Sequence, residues 1–411
     1  MKETPRPNWV QDLNTIGTSL GGSEHVVRLD ADSLLESATA ETGLDDFGDD
    51  GWREPFGVLL EAIENEARLN LVGRLLTRSE ILRVLQNRLR IIDTLKQNPE
   101  ITDGAIERPV IITGTGRSGT SILHELLAED PNNRTALAWE VMYSVPPPQS
   151  ATYATDPRIE NADRELTLWH EVAPEYKTMH ENGGALPFEC IFLMLHEFAS
   201  PHFSGVLDVP SYSKWLVTND LAPAFRFHRR QLQLLQWRCP GSPWLLKAPS
   251  HLTMLPTLFS VYPDARLVLT HRDPVKTVAS IVSLVATLRR MRSDHVDVAT
   301  LVQQYTEGIA MGWDAVIAQR KNGAIPDSQI VDLRFTDLMR DPGTALRTVY
   351  RQLDLELTKD AEEKMTRYMA EKPRGKHGAH RYSLEDYGIE KSWVHERYAA
   401  YMDRYGVEAE S

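Results

Sequence analysis

A glycine-rich segment, VIITGTGRSGTS at residues 110–121, constrains the fold of this chain more than any other feature. The apolar run that starts at Val110 predicts a buried strand, and the apolar positions from Ile122 to Leu127 predict an amphipathic helix. Glycines at positions 114, 116 and 119 allow a sharp turn between them. Successive backbone amides and the positive end of the helix dipole then point to one place. The segment therefore predicts a phosphate or sulfate site on an α/β fold.

Two better-known loop types do not match this segment. The spacing of Gly114 and Gly119 is that of a nucleoside-triphosphate P-loop, but Thr120 stands where such loops carry a lysine. The G-x-S-x-G pattern of a hydrolase is also absent, because residue 120 is not glycine. Arg117 is the only cation inside the loop. A strand-to-helix turn in which the glycines serve only close packing remains the alternative from this segment alone.

The composition limits the class of protein and of partner. The chain has 411 residues, of which 42% are hydrophobic and 25% charged, as in an ordinary globular protein. Its formal net charge of −13 argues against a nucleic-acid polymer as partner, so any anion site must be built locally. Cys190 and Cys239 are too few for a disulfide framework or a cysteine-rich zinc site. With no long apolar segment for a membrane span, these features predict a cytoplasmic protein.

The distribution of apolar residues predicts three regions. Residues 1–104 form an acidic leader and a helical arm, residues 105–400 an α/β domain, and residues 401–411 a C-terminal tail. Short apolar runs at 243–249, 265–274 and 329–335 are strand candidates, and each precedes a helical pattern. We therefore expect a mostly parallel sheet flanked by helices, with ligands at the carboxyl ends of the strands. Residues 141–240 interrupt this alternation and are interpreted as an insertion over the site.

Two further segments offer contacts to an anion. Arg272 ends a strand candidate, Asp273 and Pro274 can start the next helix, and Ser280 follows two turns later. Arginine and serine placed in this way can bind one phosphate group, although a local ion pair and a solvent-facing serine are the alternative. A late basic stretch could bind a nucleotide phosphate or be a solvated charge run; it contains Arg374, Gly375, Lys376 and His377.

Together, GTGRSGTS, KAPSHL, HRDPVKTVAS and the late basic glycine loop resemble the sulfotransferases that use 3′-phosphoadenosine 5′-phosphosulfate (PAPS), above all the broad bacterial-type group. The resemblance covers roughly residues 105–400. It implies a P-loop-like α/β fold, PAPS as sulfuryl donor and the bisphosphate PAP as product; the chemistry of sulfuryl transfer itself requires no metal. Arg272 and Ser280 would hold the 3′-phosphate. The late loop departs from the RKGxxG pattern of the cytosolic enzymes. The 5′-phosphosulfate would be held by Gly116, Arg117, Ser118, Gly119, Thr120 and Ser121.

Sulfuryl transfer to a hydroxyl needs a base for the acceptor and cations for the transferring group and the leaving phosphate. Arg117 and Lys247 are the predicted cations, and Lys247 matches the lysine that related enzymes direct at the transferring group. Glu140 and His251 are both candidates for the base by resemblance to different branches of these enzymes. We choose Glu140 by a small margin, because its carboxylate could stand at the carboxyl edge of the sheet.

The acceptor is a small molecule whose class the sequence indicates only weakly. Nine aromatic residues between positions 186 and 237 could line an apolar pocket or simply form core. A hydrophobic alcohol or phenol, such as a lipid or sterol, is favoured slightly over a sugar. A P-loop kinase-like phosphotransferase and a non-catalytic nucleotide-binding protein are the rival functions, and homo-oligomerisation is left open.

Overall fold

The computed structural model describes residues 5–241, 243–372 and 387–410. Its centre is a five-stranded sheet with the order β2-β3-β1-β4-β5, in which every pair of neighbours is parallel. The predicted mostly parallel sheet is thus confirmed, and all four predicted strand segments are strands. The strands are β1 Val110–Gly114, β2 Arg134–Thr135, β3 Trp244–Lys247, β4 Arg266–His271 and β5 Ile330–Arg334.

Helices cover both faces of the sheet and make up most of the remaining chain. None of those in the described ranges is both long enough and apolar enough to cross a membrane. In chain order the α-helices are α1 Asn8–Ser19, α2 Ser23–Val26, α3 Ala31–Thr42, α4 Arg53–Glu66, α5 Leu71–Gln97, α6 Thr120–Ala128, α7 Ala138–Met142, α8 Arg158–Val172, α9 Pro201–Val206, α10 Pro210–Thr218, α11 Ala222–Gln236, α12 Leu255–Val261, α13 Pro274–Arg290, α14 Val298–Asn322, α15 Phe335–Arg340, α16 Pro342–Gln352, α17 Lys359–Glu371, α18 Lys391–Arg397 and α19 Ala399–Tyr405.

The central strands are buried on both faces, which explains their nearly continuous apolar sequences. Val110 and Ile112 of β1 belong to a cluster with the side chains of α6, α16 and α17. Ile111, which points to the other face, belongs to a much larger cluster. That cluster also contains Leu246 of β3 and Leu267 of β4. The alternation along each strand therefore joins the sheet to two helical layers.

The N-terminal helices share the larger cluster with the sheet. In α5, Val84, Leu85 and Leu89 are completely buried in it, and so are Leu34 and Ala38 of α3. The segment predicted to be a helical arm contains α4 and α5, and the segment predicted to be an acidic leader contains the packed helix α3. The division at residue 104 does not separate two hydrophobic cores, because both sides contribute to one.

The predicted insertion and the predicted tail both lie near the carboxyl edge of the sheet. Residues 141–240 contain α8 to α11 and contribute much of the wall of a large cavity at this edge. In the tail, the ring of Tyr405 in α19 stacks on His271 at the end of β4, with 4.2 Å between ring centroids. This contact brings the last described residues, including Glu410, to the end of β4.

Gly73 provides a test of how α5 is held against the segment after α13. A β-carbon added at Gly73 would lie 1.9 Å from the carbonyl oxygen of Arg292, whereas one added at Gly57 in α4 meets nothing within 4 Å. We expect Gly73→Ala to lower the free energy of unfolding by about 1–3 kcal/mol through overpacking. Gly57→Ala should raise it by up to about 1 kcal/mol, because alanine is the better helix former.

Urea denaturation of the two variants beside the wild type measures both effects. Equal stability of Gly73→Ala and Gly57→Ala would show that the close approach of α5 to Arg292 is not a constraint.

Candidate active site

A cavity of about 1010 Å³ lies at the carboxyl edge of the sheet. Five of the six residues predicted for the first anion site line it: Gly116, Arg117, Gly119, Thr120 and Ser121. Gly119 has a φ of 96° and precedes α6, so the first turn of this helix faces the cavity. A β-carbon at Gly119 would lie 2.7 Å from the ring of Phe335. Glycine is therefore required here by both backbone conformation and space, and the loop presents helix amides to the cavity.

Ser118, the sixth predicted residue, has a different position. Its side chain is completely buried, and its hydroxyl lies 2.6 Å from that of Thr270 in β4. Its backbone amide donates to the carbonyl oxygen of Thr115 at 3.2 Å. Ser118 thus ties the loop to β4, and its predicted part in the 5′-phosphosulfate site stays a prediction.

Arg117, Ser280 and Arg272 form one cluster beside the loop. Arg117 Nε donates to Ser280 Oγ at 3.0 Å, and Arg272 Nη1 donates to the carbonyl oxygen of Arg117 at 3.2 Å. Both arginines line the cavity, whereas Ser280 is buried behind them. The structure therefore brings together the two segments that the sequence analysis predicted to bind the two ends of one ligand.

The guanidinium group of Arg272 already holds an anion. Its Nε and Nη2 each donate to one carboxylate oxygen of Glu410, both at 2.9 Å. The guanidinium also lies over the ring of Phe335, 4.1 Å from its centroid. A bidentate, planar arrangement of this kind also suits a phosphate group. Glu410 therefore occupies the bidentate face of the Arg272 guanidinium.

Lys247 lies directly behind the cavity at the end of β3. Its side chain is 3% exposed, and its ammonium group donates to Glu189 Oε1 at 2.6 Å and to Ser121 Oγ at 3.4 Å. Both of these partners line the cavity. The lysine is thus buried next to the glycine loop, and Glu189 is its carboxylate partner.

Glu189 is not among the site residues predicted from the sequence. This residue precedes a 3₁₀ helix at Cys190–Glu197 within the predicted insertion. The available signal was a single carboxylate inside the apolar stretch LPFECIFLML, since an ionised group in such surroundings needs a partner. Burial alone would raise the pKa of Glu189, but the positive charge and the hydrogen bond of Lys247 outweigh burial and hold that pKa below its usual value. Glu189 is therefore an ionised carboxylate at neutral pH.

His180 also lines the cavity close to this pair. Burial and the positive charge of Lys247 lower the pKa of His180 to about 4. Its imidazole is therefore neutral at pH 7 and can accept a proton.

Glu140, the predicted base, lies outside the cavity lining. Its carboxylate is completely buried and binds the guanidinium of Arg134, the hydroxyl of Tyr153 at 2.7 Å and the amide of Leu137 at 3.0 Å. The prediction assumed that the chain after α6 carries Glu140 to the carboxyl edge of the sheet. Instead the short strand β2 ends at Thr135, and Glu140 folds back from α7 to fix this edge strand.

His251, the other predicted base, is also outside the lining. It is 1% exposed, and its Nε2 lies 3.2 Å from the sulfur of Cys190. Burial lowers its pKa to about 4. The two neighbours Ser250 and Leu252 line the cavity while His251 points into the core, because the 3₁₀ turn after Lys247 directs its side chain inward.

Few of the aromatic residues considered for the acceptor pocket line the cavity. Of the nine aromatic residues considered for the acceptor pocket, Phe188 and Phe192 line the cavity. The other seven do not: Phe198, Phe203, Tyr212, Phe225 and Phe227 are buried core, and Trp215 and Trp237 are half-buried.

The late basic residues Arg374, Gly375, Lys376 and His377 lie outside the described residues, so their predicted role stays a prediction.

Comparison with known proteins agrees with this geometry. The chain matches the model of the Sulfotransferase family over residues 109–360. It is 24% identical over 326 residues to the omega-hydroxy-beta-dihydromenaquinone-9 sulfotransferase Stf3 of Mycobacterium tuberculosis (strain CDC 1551 / Oshkosh), with 73% of this chain and 75% of the relative covered.

Two crystal structures resemble the whole fold. Sulfotransferase STF1 from Mycobacterium tuberculosis H37Rv is 34% identical, with a TM-score of 0.79 over 90% of this chain and 98% of that protein. Sulfotransferase STF9 from Mycobacterium avium is 28% identical, with a TM-score of 0.83 over 93% and 98% of the two chains. The similarity extends through the N-terminal helices as well as the sheet, and it confirms the resemblance and the fold predicted from the sequence.

Glu140→Gln tests the structural role of the Glu140–Arg134 pair. Removal of one charge from a buried pair leaves the other uncompensated, so we expect the free energy of unfolding to fall by about 3–5 kcal/mol. Glu171→Gln, at an exposed carboxylate of α8, should change it by less than about 0.5 kcal/mol. Chemical denaturation measures both values. A Glu140→Gln variant with wild-type stability and no activity would restore Glu140 as a catalytic candidate.

Proposed function

The chain belongs to the sulfotransferase family, and we propose that it transfers the sulfuryl group of PAPS to the hydroxyl group of an elongated hydrophobic acceptor. The observation that carries this proposal is the position of the Lys247–Glu189 pair. It lies against Ser121 of the glycine loop, in the wall of the cavity that Arg117 and Arg272 also line. Anion-binding groups, a buried cation and a proton acceptor thus share one site.

Two separate anion-binding places support PAPS as the donor. The loop and the first turn of α6 suit the 5′-phosphosulfate, because helix amides and the helix dipole attract an anion. Arg272, which already holds the Glu410 carboxylate, suits a second anionic group. PAPS carries a 3′-phosphate that ATP lacks. The family assignment itself decides against the phosphotransferase alternative, and Thr120 in place of a P-loop lysine agrees with it.

The cations have distinct tasks in this proposal. Charge builds up on the transferring group and on the leaving phosphate, and preorganised positive charge nearby stabilises it. Lys247 supplies such a charge from behind Ser121, and its burial makes the interaction stronger than it would be in water. Arg117 is held by Ser280 and by the carbonyl oxygen of Met179 at 3.0 Å, so its guanidinium is already oriented at the loop.

The rest of the cavity supports a long apolar acceptor. Its volume is at the upper end for small-molecule sites. Away from the loop its wall is largely apolar and reaches the surface near Val217, which is 81% exposed. The apolar lining includes Leu166, Trp169, Phe188, Ile191, Phe192, Val206, Leu284, Leu288 and Ile309. The named substrate of the relative Stf3, a hydroxylated menaquinone derivative, is an alcohol of this kind.

We also propose the cytoplasm as the compartment. Cys190 and Cys239 are both free and buried, and unpaired thiols suit a reducing environment. Homo-oligomerisation stays a prediction.

Ligand-induced stabilisation tests the donor. We expect the bisphosphate PAP, at about a hundred times its dissociation constant, to add roughly 2.7 kcal/mol to the free energy of unfolding, and ATP with magnesium to add much less. Thermal unfolding with each ligand provides the measurement. A larger effect of ATP with magnesium would contradict the proposed donor.

Two variants locate the bisphosphate within the site. Arg272→Ala removes a charge-assisted hydrogen bond to the 3′-phosphate and should weaken PAP by about ten- to a hundredfold. It should leave adenosine 5′-phosphosulfate, which lacks that phosphate, nearly unaffected. Glu410→Gln removes the competing carboxylate and should strengthen PAP. Weakening of both ligands alike by Arg272→Ala, or no gain from Glu410→Gln, would exclude Arg272 as the 3′-phosphate contact.

Gly205→Leu tests the acceptor cavity. Gly205 lines the cavity, and a β-carbon there meets nothing within 4 Å, so the leucine side chain has open space to fill. We expect KM to rise about tenfold or more for long-chain primary alcohols, in line with an overpacking cost of about 1–3 kcal/mol. Short-chain alcohols and PAP affinity should be unaffected. If Gly205→Leu changed the KM for long-chain and short-chain alcohols by the same factor, or changed neither, an elongated acceptor site would be contradicted.

A further inference from the structure

We propose that Glu189 is the general base that takes the proton from the acceptor hydroxyl. This inference rests on the proposed function and adds a residue that neither the sequence motifs nor the family match assigns. Its basis is the hydrogen bond of 2.6 Å between Glu189 Oε1 and Lys247, together with the bond of 3.4 Å from the same ammonium group to Ser121. Through these bonds the carboxylate is fixed beside the loop that is proposed to hold the sulfuryl group.

The other carboxylates of the cavity wall are bound elsewhere. Each forms an ion pair with a cation that is not part of the loop, and two of them have an additional partner. These pairs are Glu80 with His202 and Arg292, Glu165 with Arg83 and with the hydroxyl of Tyr143, and Asp208 with Arg289. Glu189 is therefore the carboxylate of this wall that is connected to the glycine loop.

The neighbours of Glu189 place it at the boundary between two parts of the cavity. Phe188 precedes it and Ile191 follows two residues later, and both side chains line the apolar part. Its carboxylate accepts a hydrogen bond from Lys247, whose ammonium group also contacts Ser121 of the glycine loop. A hydrophobic alcohol that packs against Phe188 and Ile191 brings its hydroxyl to the carboxylate, and the hydroxyl oxygen then faces the loop. This is the positioning that an in-line transfer requires.

The proton and electron balance of the step is complete with these groups. The acceptor oxygen forms a bond to sulfur while its proton moves to a carboxylate oxygen of Glu189. The bond between sulfur and the bridging phosphate oxygen breaks, and its electron pair remains on the departing bisphosphate. The ammonium group of Lys247 contacts Glu189, which gains the proton, and Ser121 of the loop that is proposed to hold the sulfuryl group. Its positive charge is therefore close to both groups whose charge changes. Glu189 returns its proton to water when the product leaves.

His180 is the competing base, since its neutral imidazole also faces the cavity. It follows the 3₁₀ turn at Pro174–Thr178, and its own backbone amide is bound to the carbonyl oxygen of Tyr176. No hydrogen bond among the described residues ties its imidazole to Lys247 or Ser121, in contrast to the carboxylate of Glu189. The two assignments of the base, to Glu189 or to His180, therefore predict different effects of the two glutamine variants.

Glu189→Gln keeps an oxygen that can accept the Lys247 hydrogen bond but removes the basic carboxylate. For a long-chain primary alcohol such as dodecanol, we expect kcat to fall by about 10²- to 10⁴-fold, with the stabilisation by PAP nearly unchanged. For para-nitrophenol, which is largely ionised in mildly alkaline buffer, we expect a much smaller loss, because no proton has to be removed. His180→Gln should affect both acceptors only mildly.

A purely structural role of Glu189 predicts a different pattern, namely equal losses with the alcohol and the phenol, or near-normal turnover in Glu189→Gln. Either result overturns the inference, as does a large alcohol-specific loss in His180→Gln instead. These outcomes are separable from failure of the proposed function, which would appear in the wild type as absence of PAP binding or of sulfuryl transfer.

Discussion

The parallel pairing of β1 with β3 on one side and with β4 on the other is the constraint on which the site depends. Because the strands are parallel, their carboxyl ends meet at one edge, and the loop after β1 lies between Lys247 and Arg272. The contact between Ser118 and Thr270 fixes the loop to β4, and the contact between Lys247 and Ser121 joins it to β3. Three segments that are distant in sequence thereby form one site.

The chain is strongly acidic, yet this site is built around cations. Arg117, Lys247 and Arg272 each have a specific partner that holds the charge in place: Ser280, Glu189 and Glu410 respectively. Two of these partners are carboxylates, so the site is close to neutral before a ligand arrives. In the proposed function an incoming anion replaces Glu410 on Arg272, and this exchange favours ligands that offer a better bidentate acceptor than a carboxylate.

The sequence was sufficient for the sheet and for the position of the glycine loop between β1 and α6, because these depend on local patterns. Apolar runs bounded by glycine or proline mark the strands, and position 119 admits only glycine. The predicted position of Glu140 beside the site was wrong, because no residue of ALAWEVM indicates that this carboxylate pairs with Arg134. Glu189 was missed for a related reason. Its partner Lys247 lies 58 residues away along the chain, and only the packed insertion brings the two together. Long-range pairing of this kind leaves no periodic signal in one sequence.

The proposed function requires that one ligand spans the glycine loop and Arg272. A crystal structure of the protein with bound PAP is the decisive test of this requirement. We expect the 5′-phosphate at the amides of the glycine loop and the first turn of α6, and the 3′-phosphate on the guanidinium of Arg272, with the Glu410 carboxylate displaced. A structure in which PAP binds elsewhere, or in which Glu410 remains paired with Arg272 beside the bound nucleotide, would contradict it.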